Sequence, residues 1–511
     1  MCAFPLTIVE GDDAGIAVAA HLVMQGKEDP FGLGYGRDFQ RGVIEVVAFV
    51  THLTGSNTFT VLAVLSLLCA FANTLLIGEI AHRMTSLPRW LCLLFCLLFQ
   101  EVVSLFYYAT STNFSALFLF IAWLLLLDGK TGRSIAAAVC FAVAVWLRLD
   151  ALIAGAVFPT LILLRTGFNS AGLRSLLRFG VTWVLALSAL SLLSGVDFST
   201  MAKTFAYHRG LGFFWWHNLQ CFLAFFSFLL LFLITLGFWR TMADKNYRLL
   251  LPFLALALPL LVTLWGNLSS PKYLFYITPW ACALAVTGIR QCQGGGLRRG
   301  LLVAAVFLGA VQYVIPRGIT RETLAATGLS LGPATLPASD QLLHTDDAAR
   351  QLHSIIAAPL FWLEQKQAAE KTYAQVSEEI RLGSTMVFGC SDWVGREAMA
   401  YLLLSAGYEC VKHAGVDPRD AQFYVWENPK TASRRWMVFF PSQAKNTGGR
   451  MLEALTLGQS SQAVFLYSND RWAVGHRQLR DLAAAGLVIN GGVRMELDHT
   501  LARVARVQLV K

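Results

Sequence analysis

The chain has 511 residues, 56% of them hydrophobic and 14% charged, with a formal net charge of +9. An average soluble protein carries roughly 25% charged residues, so this balance, with a mean hydropathy of +0.54, sets aside an ordinary soluble enzyme and points to a polytopic membrane protein. The positive excess reads as membrane topology and not as nucleic-acid binding.

In chain order the first feature is Glu10-Gly11-Asp12-Asp13. The stretch AGIAVAAHLVMQG that follows is predicted to form a helix lying along the membrane interface. A carboxylate at that depth is tolerated where water or a cation meets it. Asp12 and Asp13 therefore read either as a general base, taking a proton from an acceptor hydroxyl or amine, or as an N-cap for the apolar helix. Spacing alone leaves both open. Downstream, GYGRDFQRGVIEVV carries Arg37 and Arg41.

Ten apolar stretches follow, at about 58–80, 90–107, 113–127, 134–148, 150–164, 180–194, 217–239, 250–266, 273–290 and 301–315. Several fall short of the ~20 residues of a full span. One set of their short connections holds Arg83, Arg89, Lys130, Arg133, Arg165, Arg174, Arg178, Arg240, Lys245, Arg248, Arg290, Arg298 and Arg299. The opposite set holds only Arg148, Lys203, Arg209 and Lys272. The positive-inside rule makes the first set cytoplasmic. Residues 1–57 and those after about 316 are then extracytoplasmic, which divides the chain into an outer loop with juxtamembrane helices (1–57), a transmembrane helical domain (58–315) and an outer domain (316–511). A chain that starts outside needs an upstream helix or signal, and residues 3–9 are too short for either. The expectation is a first transmembrane helix ahead of the acidic pair, or else a short N-terminus translocated without a signal.

Three outer connections gather polar groups at the membrane face. MAKTFAYHRGLGFFWWHN offers Lys203, His208, Arg209 and His217 among aromatics, and NLSSPKYLFYITPW offers Lys272 and Tyr273. Such cations can clamp a lipid phosphate, and aromatics can flank a polyprenyl chain or stack on a sugar. Taken singly, each is equally a snorkelling cation in an aromatic belt. Arg148 and Asp150, in WLRLDALIAG, sit at a tight bend and read either as an ion pair that shapes it or, less readily, as a catalytic pair. Glu79 and Glu101, near helix ends, are the acids to examine for a transport relay.

Residues 316–511 are different in kind. A polar helical segment spans 340–385, with Asp346-Asp347 as a solvated helix start. Apolar strands then alternate with helices: TMVFGCS, REAMAYLLLSAG, FYVWENP, RWMVFFPS, MLEALTLG, QAVFLYSND and RQLRDLAAAG. This predicts a small α/β domain. Asp392 and Asp470 follow strands, where ligand sites often form. The ten cysteines follow no metal spacing, and most lie in apolar runs. Cys390 and Cys410 fall in more polar surroundings and are a candidate disulfide. No P-loop, GxGxxG or HExxH is present.

Over residues 8–315 the chain resembles the integral-membrane glycosyltransferases of the GT-C fold, among them protein O-mannosyltransferases and the lipid A aminoarabinose transferase. GDDAGIAVAAHLVMQG is similar to the family's acidic first outer loop and juxtamembrane helix. VVAFVTHLTGSNTFTVLAVLSLLCAFANTLLIGEIAHRM resembles its LTG-S turn, helix and basic exit. YYATSTNFSALFLFIAWLLLL, AVAVWLRLDALIAG and SPKYLFYITPWACALA resemble its small-polar turn, Arg-containing bend and basic-Tyr-Pro helix entry. The resemblance implies a metal-optional, inverting hexosyl- or pentosyltransferase of the bacterial inner membrane. Its donor would be a sugar on a polyprenyl phosphate, and its acceptor a glycan, lipid or protein at the extracytoplasmic face. By resemblance Asp12 is the base, with Asp13 as alternative, and Arg37, Arg41, His208, Arg209 and Lys272 are donor-phosphate contacts. Lys203, Tyr273, Arg148 and Asp150 are donor-binding or structural. The family also begins with a helix just before the acidic stretch. No cofactor is implied, although a divalent metal is compatible, and neither is a nucleic-acid partner. The competing readings are a transporter or flippase of a lipid-linked or small solute, and a non-catalytic membrane scaffold or a polysaccharide polymerase of another fold. The former lacks an acidic mid-membrane relay and paired broken helices.

Overall fold

The computed structural model describes residues 11–26, 40–99, 102, 105–106, 109–128, 132–194, 226, 228–264, 271–291, 296, 300, 303, 307, 359–383, 385–414, 420–441, 444, 446–468, 472–490 and 502–509. It consists of a helical body followed by an α/β unit.

Two short helices come first, α1 (Gly11–Met24) and α2 (Arg41–Thr54). The bundle proper comprises α3 (Thr58–Thr85), α4 (Arg89–Cys96), α5 (Ser111–Leu127), α6 (Arg133–Leu147), a 3₁₀ helix (Leu149–Ala156), α7 (Val157–Thr166) and α8 (Ser170–Ser194). It continues with α9 (Phe228–Ala243), α10 (Tyr247–Leu264), a second 3₁₀ helix (Pro271–Ile277) and α11 (Thr278–Gln291). Among the described residues three stretches are long and apolar enough to cross a membrane: Thr58–Thr85, Leu149–Thr166 and Ser170–Ser194. The stretch drawn at 90–107 is not one continuous helix. Its helix stops at Cys96, and a turn follows at 97–99. The stretch at 301–315 lies almost wholly outside the described residues.

Local chemistry explains the joints. The turn LTGSN ends α2 at Gly55, whose φ of +64° suits a residue without Cβ. Asn57 then starts α3, its side chain accepting from Phe59 N at 2.8 Å and Thr60 N at 3.4 Å. At Arg148–Asp150 the chain passes from α6 through the first 3₁₀ helix into α7 and turns back on itself, so that the Phe141 and Phe158 ring centroids lie 4.3 Å apart.

Packing depends on small residues where backbones meet. α9 and α11 cross through Gly237 and Gly288. A Cβ built on Gly237 would strike the Leu284 carbonyl, and one on Gly288 the Leu233 carbonyl. Close small-residue contacts of this kind hold helices together in lipid, where apolar burial gives little drive. Trp123, Phe120, Phe158, Phe275 and Trp280 fill the centre as an aromatic cluster.

Ion pairs secure the end of the bundle that the positive-inside rule assigns to the cytoplasm. Glu79 meets Arg83 and Arg89, each at 2.8 Å, and Asp128 meets Arg83 and Arg133. Together they tie α3, α4, α5 and α6. Glu79 is thus committed to arginines and is not placed as a mid-membrane relay, while Glu101 lies outside the described residues.

The α/β unit opens with the polar helix α12 (Pro359–Leu382), followed by β1 (Val387–Ser391), α13 (Asp392–Ser405), β2 (Glu409–Ala414), β3 (Gln422–Glu427) and β4 (Arg434–Phe440). Then come α14 (Thr447–Leu457), β5 (Gln462–Ser468), α15 (Trp472–Ala484), β6 (Leu487–Asn490) and β7 (Ala502–Leu509). The strands form one sheet of order β2-β3-β4-β1-β5-β7-β6. Strands β4, β1 and β5 are parallel, and the outer pairings are antiparallel. α12 and α13 cover one face and α14 and α15 the other. The sequence pattern misses β2, β6 and β7, which are short or alternate with polar residues.

The candidate disulfide is overturned by this order. Cys390 lies in β1 and Cys410 in β2, with β3 and β4 between them. Three strand spacings of about 4.8 Å put the pair roughly 14 Å apart, well beyond disulfide reach. Cys390 Sγ instead lies 3.5 Å from the Val438 carbonyl.

Candidate active site

The end of the bundle that the positive-inside rule assigns to the outside is assembled from the starts of α3 and α5, the end of α6 and both 3₁₀ helices. α1 lies against this end. Ala14, Ile16, Ala17, Val18, Ala19, Ala20 and Leu22 are buried in a cluster shared with α2, the start of α3, Phe114, Leu147 and α13. The expected interfacial helix is therefore clamped between the bundle and the α/β unit. α1 starts at Gly11, so Asp12 and Asp13 stand in its first turn and not at the N-cap position. Carboxylates are favoured in a first turn by the helix dipole. Their side chains lie outside the described residues.

The junction holds a charged pair that composition does not reveal. A Cβ on Gly15, one turn along from the acidic pair, would lie 3.7 Å from Glu397 Cγ and Oε2 of α13. Arg396 donates to Glu397 Oε1 through Nε at 3.1 Å and Nη2 at 2.8 Å, and its guanidinium lies 4.7 Å over the Phe439 ring. Both side chains are buried. Burial works against the Arg396 charge, but neighbouring Glu397 outweighs it and raises the pKa. Nearby, Tyr401 donates to Asn57 Oδ1 at 2.5 Å and its ring meets Phe59.

The expected Arg148–Asp150 pair forms and proves to be the centre of a buried network. Arg148 Nε donates to Asp150 Oδ2 at 2.8 Å and Nη1 to Ser111 Oγ at 2.5 Å. The Tyr276 hydroxyl donates to Asp150 Oδ1 at 2.9 Å and lies 2.7 Å from Ser115 Oγ. Arg148 is 1% exposed and Asp150 5%, so each charge depends on the other and on these hydroxyls. The network ties the bend to the start of α5 and to the 3₁₀ helix that carries Lys272 and Tyr273. A second polar layer sits beside it: Asn113 Nδ2 donates to Ser66 Oγ at 2.9 Å and Leu105 O at 3.1 Å, while Asn73 Nδ2 donates to Asn113 O at 2.9 Å. Sequence reading missed Ser111, Ser115 and Tyr276. The signal for Ser111 and Ser115 is STNFS, a polar run opening an apolar helix, whereas Tyr276 leaves none of that kind.

Of the residues expected to contact phosphate, Arg41 opens α2 and pairs with Glu45 at 2.7 Å. That half-buried i,i+4 pair offsets part of the charge expected to meet a donor phosphate. Lys272 and Tyr273 stand on the second 3₁₀ helix, and their side chains lie outside the described residues. Arg37, Lys203, His208, Arg209 and His217 lie outside them altogether, as do Asp346, Asp347 and Asp470. The structure thus brings the acidic turn of α1, the Arg148–Asp150 bend and the Lys272 segment to one end of the fold. Among the described residues no group of three or more His, Cys, Asp or Glu side chains is placed to hold a metal.

No protein-family model matches the chain, and no curated protein does. Solved structures do. ArnT from Cupriavidus metallidurans bound to undecaprenyl phosphate is 13% identical, with a TM-score of 0.54 over 99% of this chain and 95% of that one. ArnT from the same organism in the apo state is 12% identical, with a TM-score of 0.54 over 98% and 93% of the two chains. At this identity the likeness is one of fold, and it runs through both the helical body and the α/β unit. The chain has the fold of these ArnT structures.

Proposed function

We propose that the protein is an integral-membrane glycosyltransferase that moves a sugar from a polyprenyl-phosphate donor to an acceptor at the extracytoplasmic face. The observation that carries this reading is the likeness in fold, along nearly the whole chain, to a structure bound to undecaprenyl phosphate. The acidic turn at the outer end of the bundle supports it.

In this reading Asp12, or Asp13 in its stead, takes the proton of the acceptor hydroxyl or amine as that atom attacks the anomeric carbon. The new glycosidic bond forms as the carbon–oxygen bond to phosphate breaks. The electron pair leaves with polyprenyl phosphate, and the configuration inverts. The leaving group gains negative charge, so cations fixed around it favour the transition state over the ground state. Arg37, Arg41, His208, Arg209 and Lys272 are proposed for that work, with Lys203 and Tyr273 as further donor contacts. Arg148 and Asp150 are positioning residues: their network fixes the segments between which the donor would sit. The lipid-borne donor is already activated, so no nucleotide site is needed. The acceptor is a glycan, lipid or protein of the cell envelope.

The test is turnover in lipid nanodiscs, followed as release of undecaprenyl phosphate from undecaprenyl-phosphate-linked sugars. Asp12→Asn is expected to abolish release while retaining donor binding. Full activity in both Asp12→Asn and Asp13→Asn would refute the base assignment, and flux of an unmodified lipid or solute without transfer would refute the transferase.

A further inference from the structure

α8 packs into the bundle by one side only. Its buried residues are Gly172, Phe179, Leu187, Ser191 and Ser194. At 3.6 residues per turn these fall within about 120° of the helix circumference. On that side Phe179 stacks on Phe141 of α6 and Phe158 of α7. The opposite side carries Arg174, Arg178, Val181, Leu185 and Leu192, aligned along the axis at helical spacing. All five are exposed, Leu185 by 65% and Leu192 by 83%. The helix is long and apolar enough to cross a membrane, and this side of it faces lipid. The two arginines stand at the end that the positive-inside rule assigns to the cytoplasm.

Depth makes these arginines unusual. α8 has 25 residues and is therefore ~38 Å long, against a hydrocarbon core of ~30 Å. About five residues can stand beyond the core. Arg174 is the fifth residue of the helix and Arg178 the ninth, so Arg178 enters the apolar layer by about one turn even when the whole excess lies at this end. A guanidinium at that depth is costly unless it reaches a counter-charge. Other cations of the same end have one: Arg83, Arg89 and Arg133 meet Glu79 and Asp128, and Arg240 meets Asp244. α6, α7 and α8 contain no Asp or Glu. Arg174 Nε donates only to its own helix, to Ser170 O at 3.3 Å.

The counter-charge that remains is the lipid itself. Residues one turn apart on a helix lie about 6 Å from each other, so both guanidiniums can meet one phosphodiester, each through paired N–H donors. Acyl chains below that phosphate would lie along Val181, Val184 and Leu185, which continue the exposed side. A zwitterionic headgroup brings a cation that two arginines repel, whereas an anionic headgroup brings none. We propose that the exposed side of α8 is a binding site for an anionic glycerophospholipid of the cytoplasmic leaflet, held by Arg174 and Arg178. The site is independent of the transferase reading, because lipid retention is read without turnover.

The test is native mass spectrometry of the full chain, delipidated in a neutral detergent and titrated with dioleoylphosphatidylglycerol or dioleoylphosphatidylcholine. The parent is expected to retain the phosphatidylglycerol in preference. Arg174→Gln and Arg178→Gln should each weaken that retention about fivefold, the scale of one basic side chain at a charged membrane surface, and the double variant should lose the preference. Both side chains point away from the packed side of α8, so the variants should fold, and if one does not, the other carries the test. Arg248→Gln, an exposed cation near the start of α10, should retain the lipid as the parent does. Equal retention by the parent and both single variants would place the lipid elsewhere and overturn the proposal. Phosphatidylcholine held as tightly as phosphatidylglycerol by the parent would overturn it too, as would a dimer that both substitutions abolish, since a second copy would then cover this side of α8.

Discussion

Removing the carboxylate of Asp150 should destabilise the helical body severely, and the size of the effect follows from the network around it. Asp150→Ala removes the carboxylate that accepts from the Arg148 guanidinium, which is 1% exposed and keeps Ser111 among its polar contacts. It also removes the acceptor of the Tyr276 hydroxyl. Breaking a buried pair from one side costs about 3–5 kcal/mol. Tyr276→Phe deletes the hydrogen bond to Asp150 together with the contact to Ser115 Oγ, and the loss of the charged acceptor bond alone should cost about 1.5–3 kcal/mol. The informative variant is the double replacement Arg148→Met with Asp150→Leu. It removes both charges and keeps apolar volume, and it should be less costly than Asp150→Ala alone. The assay is SDS-driven unfolding in mixed micelles, monitored by tryptophan fluorescence, with the parent, Arg148→Met, Asp150→Leu and their double forming a mutant cycle. An Asp150→Ala protein within about 1 kcal/mol of the parent, or a double variant worse than the sum of its singles, would refute the account of a mutually dependent buried pair.

Other outcomes follow from separate features. Gly237→Ala should weaken the α9–α11 crossing by about 1–3 kcal/mol, since the added methyl meets the backbone of Leu284; a stability unchanged from that of the parent would show that the helices do not cross there. Asp420 is held below the ordinary carboxylate pKa by its hydrogen bond from Arg450 and then by the Ala421 N–H. A depressed carboxylate adds stability above its unfolded value of about 3.9 and loses it as pH falls through the folded value. The pair is exposed, so its worth is about 1 kcal/mol or less. The stability gap between the parent and Asp420→Asn should therefore close in acid, and a gap that widened there would contradict the sign. Peptide mapping without reductant should find no Cys390–Cys410 crosslink, and recovering one would contradict the strand order.

The sequence alone determined the class of the molecule, because low charge and long apolar runs are properties of composition that packing cannot alter. The alternation of strand and helix patterns in 387–484 also determined the α/β character of the C-terminal unit, since period-2 and period-3.6 burial each leave a mark on the residue order. It placed the acidic pair at a helix start and an ion pair at the Arg148 bend, because both are local. Tertiary structure decided the rest. Tyr276 reaches Asp150 across 126 positions of sequence, and Glu397 reaches Gly15 from the other end of the chain, so neither partnership leaves a local pattern. Cys390 and Cys410 look like neighbours in sequence, but the sheet inserts β3 and β4 between them.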